Sequence, residues 1–204
     1  HQPHFVMADV QALGTLPQRE LTSGWAEVIK YGLILDETFL SVLEKQKEFI
    51  LALKRDVTTD VIRRSVSVKA DIVSQDEEDT LDIRMILNYG HTIGHAIEVA
   101  TNYGRFLHGE AVSVGMMGAA YIGYGMGLMS AHDVERQRAL LEGFGLPLSC
   151  SGVDVSAVNE AMESDKKTSG KTIRWVLLKG MGQAVARNDV PADLVQKTLG
   201  QLTQ

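Results

Sequence analysis

The sequence holds a single cysteine, Cys150, so no disulfide can form within the chain and a bridge-held scaffold is excluded. That scarcity fits a reducing, cytoplasmic setting. Basic residues are not in excess either. Twenty Lys and Arg against 26 Asp and Glu leave a net charge of −6, without the basic face that a nucleic-acid binder needs. The opening HQPHFVMADV has no basic stretch followed by an apolar run, so it does not read as a secretory signal. Internal repeats and low-complexity tracts are missing. Long uncharged runs are also rare: AVSVGMMGAAYIGYGMGLM, residues 111–129, has spanning length but carries five glycines and no basic flank. It reads as a helix at the centre of a bundle, with small residues letting neighbouring backbones approach, and not as a membrane span.

What is present is ordinary in bulk and particular in detail. At 204 residues, with 45% hydrophobic and 23% charged content, the chain can bury a proper core. Pro17 suits the first turn of a helix, and from Arg19 onward Leu21, Trp25, Val28, Ile29 and Leu33 recur at helical spacing, leaving Glu20, Glu27 and Lys30 on the opposite edge. Further helices are predicted from about Asp36, from Thr59 to Gln75 with a stripe of Val61, Ile62, Val66, Val68, Ile72 and Val73, and from Arg84 to Thr101. The 110s helix, one over 132–142 and a short one over 153–163 follow. SDKKTSGK reads as a basic loop, TIRWVLLKGMGQAVARNDV as a β-hairpin centred on Gly-Met-Gly, and 192–203 as a closing helix. The fold class expected is mainly α, multi-helical, with one small hairpin.

Three of the six histidines fall in LNYGHTIGHAIEVATNYGRFLHGEAV, residues 87–112. His91 and His95 stand four apart, so a helix projects both from one face. HTIGH has the spacing of the zincin HExxH, but Thr92 occupies the place of its general-base glutamate, which excludes that protease chemistry. His108, before Gly109 and Glu110, falls at the start of the next helix, and a short turn can bring it to His91. A catalytic zinc takes three protein ligands and keeps one position open, so a carboxylate is wanted. Glu27, in the apolar WAEVIKYG, is a candidate because a carboxylate there is costly without a cation. Lys30, one turn on, is an alternative partner for it, and spacing alone does not choose.

Cations form a second set. Lys30, Lys69 and Arg84 lie beside apolar helix faces, and Lys166, Lys167 and Lys171 lie around the SDKKTSGK segment. In an acidic chain, a local positive cluster suits a small anionic ligand bearing phosphate or carboxylate. Cys150 has no cation or histidine beside it in sequence and reads as inert, and His132 reads as a surface residue.

Five blocks, RELTSGWAEVIKYGLILD, VKADIVSQDEED, RMILNYGHTIGHAIE, HGEAV and DKK, resemble the 3-dehydroquinate synthase family in order and spacing. The resemblance implies the conversion of 3-deoxy-arabino-heptulosonate 7-phosphate to 3-dehydroquinate in the shikimate pathway, with NAD and a divalent metal, zinc first and cobalt second. It implies a homodimer acting on a phosphorylated sugar acid. It implies metal ligands Glu27, His91 and His108, a base at His95, and substrate contacts from Lys30, Lys69, Arg84, Asn88 and Lys167, with Lys166 beside it. The glycine-rich, NAD-binding α/β domain of the family has no counterpart in these residues. Residues 1–18 then read as a lead-in from such a domain and 19–204 as the helical metal- and substrate-binding domain, which is expected to be inactive alone.

One departure concerns the family's acidic loop, DE-x-E-x-G-x-R. Here DEEDTLDIR runs one residue longer, with Thr80 in the glutamate's place, so Glu78 or Asp79 is the expected substitute. Competing readings are another sugar-phosphate cyclase, a metal-dependent polyol dehydrogenase, and a helical interaction module without catalysis. Arg84, Asn88 and His95 together favour the first family over other cyclases, and Lys69 and DKK favour it over the dehydrogenases.

Overall fold

In the computed structural model, residues 5–78, 81–169 and 173–204 are described, the side chains of 165–169 excepted. After a 3-10 helix over Val10–Thr15 come α1 (Gln18–Leu35), α2 (Glu37–Leu51) and α3 (Arg55–Gln75). A second 3-10 helix, Ile83–Asn88, leads into α4 (His91–Ala100), α5 (His108–Gly125), α6 (Ala131–Gly143) and α7 (Val155–Ser169). The hairpin strands β1 (Trp175–Leu178) and β2 (Ala184–Arg187) precede α8 (Ala192–Leu202). The fold is mainly helical with one small hairpin, as expected.

α5 is the axis. Its residues Ala111–Ala120 are buried without interruption, and α1, α4, α6, α8 and β1 surround it. Small residues make this possible. A Cβ at Gly115 would stand 1.9 Å from the Gly90 carbonyl oxygen, and one at Gly109 would stand 1.9 Å from that of Ser23. Those two contacts lock α5 against α4 and α1. Among the described residues, no helix is long and apolar enough to cross a membrane.

α1 buries Leu21, Trp25, Val28, Ile29 and Leu33 as its spacing predicts, but Lys30 departs from the expected polar edge and is only 3% exposed. Asp36 ends α1 and caps α2, accepting from the Phe39 amide at 2.9 Å and from Arg64 at 2.8 Å. β1 pairs antiparallel with β2, Trp175 opposite Arg187 and Leu178 opposite Ala184. The hairpin turn is tied to α1 where the Gly182 amide donates to the Leu33 carbonyl at 2.9 Å.

The structure differs from the sequence pattern in four places. Between 10 and 15 the chain winds into a 3-10 helix instead of running extended to a turn, with Asp9 capping it through the Gln11 amide. α3 starts four residues before Thr59, directly after Leu53 takes a left-handed turn (φ 49), and it buries Thr58, Val61, Ser65 and Ile72 while Val66 faces solvent. Its inner stripe thus runs through two hydroxyl residues that an apolar pattern does not flag. α7 continues to Ser169 through the predicted basic loop, because nothing between Val155 and Ser169 is a glycine or proline. The helix predicted from Arg84 to Thr101 is broken at Tyr89–Gly90, and only its second part is α-helical.

Candidate metal centre

The break before α4 builds the site. Tyr89 is fully buried, with its hydroxyl donating to Gln137 Oε1 at 2.8 Å, which pulls the chain into the core. Gly90 then turns back with φ 82, a conformation that favours glycine, and a Cβ there would meet Met116 and the Val112 carbonyl within 2.8 Å. His91 is therefore the first residue of α4, and its ring is aimed by the turn as well as by the helix. His108 is likewise the first residue of α5. Glu110 fixes that second turn: it accepts from the Leu107 amide at 2.9 Å and from Arg19 of α1 through two bonds of 2.7 Å.

Three helices thus deliver three groups to one point. Glu27 Oε1 lies 3.5 Å from His91 Nε2 and 3.7 Å from His108 Nε2, and the three ligand atoms all fall within 4.8 Å of one another. Around a tetrahedral ion with bonds of about 2.0–2.1 Å, neighbouring ligand atoms sit roughly 3.3 Å apart. Glu27 Oε1 is buried and has no hydrogen-bond partner, the state expected of an oxygen reserved for a cation. The other oxygen of Glu27 is held by the Lys30 ammonium at 2.8 Å. The donor set of one carboxylate and two imidazoles suits zinc or cobalt.

The electrostatics agree with the geometry. Burial opposes the ionisation of Glu27, but the neighbouring His108, Lys30 and His91 outweigh it and hold the carboxyl down at about 2. At 3.7 Å the His108 effect is one of charge attraction, since Nε2 is beyond hydrogen-bond reach of Oε1. Burial, helped by the Lys30 ammonium, pushes His91 down to about 4 against the pull of Glu27, so its imidazole is neutral at pH 7. Glu27 and then Glu98 raise His108 against its partial burial. Burial lowers Lys30, Glu27 opposes that, and the charge of Lys69 adds to the lowering, which places Lys69 within electrostatic reach of the site.

Of the remaining expected residues, His95 adjoins this centre and Lys69 lies within electrostatic reach of it. His95 is exposed one turn beyond His91, its ring centroid 5.2 Å from that of His91 and 5.9 Å from that of His108. Arg84 is half-buried on the second 3-10 helix, with Nη1 3.5 Å from the Glu77 carbonyl, and Asn88 is exposed at that helix's end. Lys69 and Glu78 are exposed. Asp79 and Lys171 lie outside the described residues, as do the side chains of Lys166 and Lys167. Cys150 is buried, its thiol pushed up to about 11 by desolvation, and His132 is a surface residue.

The role of Asp76 escapes the sequence pattern, and Glu98 figures in that pattern only as a polar neighbour of the histidines. Asp76, 3% exposed, ties the end of α3 to the second 3-10 helix by accepting from the Leu81 and Ile83 amides, each at 3.0 Å. Glu98 meets His108 Nδ1 at 3.2 Å. The signal for Glu98 was available, since it stands seven residues after His91 on the same face of α4.

Residues 24–168 match the family described as 3-dehydroquinate synthase C-terminal. The chain belongs to that family. A 3-dehydroquinate synthase from Acidithiobacillus ferrooxidans is 46% identical over 199 residues, covering 98% of this chain and 54% of its own. The chain therefore spans about half the length of the curated relatives it matches. Family-like architecture recurs in solved structures. A 2-epi-5-epi-valiolone synthase from Streptomyces hygroscopicus subsp. jinggangensis, with NAD+ and Zn2+ bound, is similar at a TM-score of 0.86 and 25% identity over 95% of this chain and 54% of that one. A 2-deoxy-scyllo-inosose synthase complexed with carbaglucose-6-phosphate, NAD+ and Co2+ gives 0.76 and 28% over 98% and 56%.

Proposed function

We propose that this chain supplies the metal- and substrate-binding part of a 3-dehydroquinate synthase, which converts 3-deoxy-arabino-heptulosonate 7-phosphate to 3-dehydroquinate with loss of phosphate. The observation that carries the reading is the Glu27–His91–His108 triad, three groups from three helices at ligand spacing with an orphaned carboxylate oxygen at its centre. Identity of 46% to a protein of that name supports the choice among cyclases. Glu27, His91 and His108 hold a divalent cation, zinc before cobalt, in line with the Zn2+ and Co2+ of the two structural neighbours. When bound, it supplies a Lewis acid for the substrate's hydroxyl and ketone oxygen.

The chain's own residues do the rest. Lys30 is buried at the floor of the site and fixes the Glu27 carboxylate, and with Lys69, Arg84, Asn88 and Lys167, Lys166 beside it, it receives the anionic substrate. His95, exposed one turn beyond His91, moves protons to and from the substrate, while Glu78 or Asp79 provides the acidic loop's carboxylate. The hydride step belongs to NAD, so the chain alone does not turn over. The working enzyme is a cytoplasmic homodimer. Cys150, buried and unbridged, supports the reducing compartment.

The test is phosphate release from 3-deoxy-arabino-heptulosonate 7-phosphate with NAD, by the chain alone and by a chimera carrying the remainder of the Acidithiobacillus ferrooxidans relative. The chimera should release phosphate, the chain alone should not, and His91→Ala should silence the chimera. The two structural neighbours favour a second reading, another sugar-phosphate cyclase. A chimera that ignored this substrate and bound carbaglucose-6-phosphate instead would select it.

A further inference from the structure

Each ligand of the triad has a second group behind it. Lys30 holds the outer oxygen of Glu27 at 2.8 Å, the Tyr89 carbonyl faces His91 Nδ1 at 3.2 Å, and Glu98 Oε1 faces His108 Nδ1 at 3.2 Å. The last of these is unlike the others. Glu98 is a carboxylate only 8% exposed, and an ionised carboxylate is costly to bury unless strong donors meet it. His108 is the less confined of the two imidazoles, its side chain 48% exposed against 14% for His91. Packing orients His91; it does not orient His108, whose ring would lose rotational freedom on binding an ion.

We propose that Glu98 is a positioning residue for the metal centre, accepting the His108 Nδ1 hydrogen so that Nε2 is left unprotonated and turned toward Glu27 and His91. The proposal rests on the metal reading of the triad and extends it. A carboxylate behind a ligating imidazole fixes its tautomer and makes the ligating nitrogen a better donor. It also accounts for a second grouping, His95, Glu98 and His108, whose ligand atoms fall within 4.8 Å of one another. In that group Nδ1 of His108 is taken by Glu98 while Nε2 faces Glu27, so Glu98 belongs to the outer layer of one centre. α4 then carries a ligand, a proton-transfer group and a ligand's anchor at positions 91, 95 and 98, all on one face.

The experiment uses the metal-stripped chain and Glu98→Gln, which keeps the side chain's shape and removes its charge. Zinc affinity is measured by chelator competition, metal-free melting by circular dichroism, and the His108 tautomer by 15N-edited NMR of the zinc-loaded protein. Glu98→Gln should lower zinc affinity 10- to 100-fold, the size usual for such partners. Its metal-free melting should match the parent. The His108 Nδ1–H signal should move upfield and exchange faster, while that of His91 stays in place. Zinc affinity equal to a tight-binding parent would overturn the proposal and leave the triad standing. Weaker zinc binding with an unchanged His108 signal, or with equally weakened metal-free folding, would give Glu98 a structural role and also overturn it. A parent that took no zinc would overturn the metal reading itself, and this proposal with it.

Discussion

The corner where α1, α4 and α5 meet and the rim of α3, residues 76–78 and the second 3-10 helix carry residues of the same proposed site, yet they are built differently. At the corner, glycine contacts leave no room for a side chain, and each ligand is backed by a hydrogen-bond partner. At the rim, Lys69, Glu78 and Asn88 are exposed, and Arg84 is held by one long bond to a carbonyl. The contrast matches the two tasks. Ligands must be fixed to a few tenths of an ångström for a metal to bind, whereas cations that receive a mobile anion gain from reach.

Substitutions in the packing of the corner, at Gly115 and Tyr89, should damage folding and metal binding together; substitution of a group behind a ligand, such as Glu98, should weaken metal binding alone; and those at the rim should touch neither. Gly115→Val has the largest expected effect. Its side chain would collide with the Gly90 carbonyl, forcing α4 from α5 at a cost of about 3 kcal/mol, read as a fall in the urea midpoint. Tyr89→Phe should cost about 1–2 kcal/mol by the same measurement, because Gln137 Oε1 would be left buried without its donor.

Asp36, which ends α1 and is bonded to Arg64 of α3, sharpens the scale. Partial burial opposes its ionisation, but the Phe39 amide and the Arg64 guanidinium outweigh it and keep its pKa below the ordinary 3.8. The folded state therefore favours the ionised form, and the stabilisation is present above pH 3.8 and is lost as pH falls through the lower folded value. Asp36→Ala should cost about 1 kcal/mol at pH 7. Melting of parent and variant should converge as pH falls from 3.8 through that lower folded value. Smallest of all, Lys69→Ala should change stability by less than about 0.5 kcal/mol and leave zinc affinity unaltered. A loss of metal binding in Lys69→Ala would erase the distinction between corner and rim.

The sequence made the candidates legible because their pattern is local: two imidazoles one helical turn apart, a third before a glycine, a carboxylate in an apolar helix; spacing left Lys30 open as the partner of Glu27, and the family resemblance supplied the choice of Glu27, His91 and His108. It also marked the 110s helix as buried, from its glycines and lack of charge. The break at Gly90 was not legible, because the helical pattern runs through it; the turn is imposed by Met116 and Val112, which come more than 20 residues later. Thr58 and Ser65 on the inner face of α3, and Lys30 inside α1, are polar residues buried by their neighbours, and a hydrophobic pattern assigns them to solvent. The extension of α7 is hidden for the opposite reason: its lysine-rich end resembles a loop, although no glycine or proline stands between Val155 and Ser169.

Calorimetric titration of the metal-stripped chain with zinc, beside His108→Ala, tests the central claim most directly. The geometry predicts one ion per chain, bound tightly by the parent and lost in the variant. A parent that takes up no zinc, or a His108→Ala chain that binds it as well as the parent, would contradict the assignment of Glu27, His91 and His108 as a metal centre.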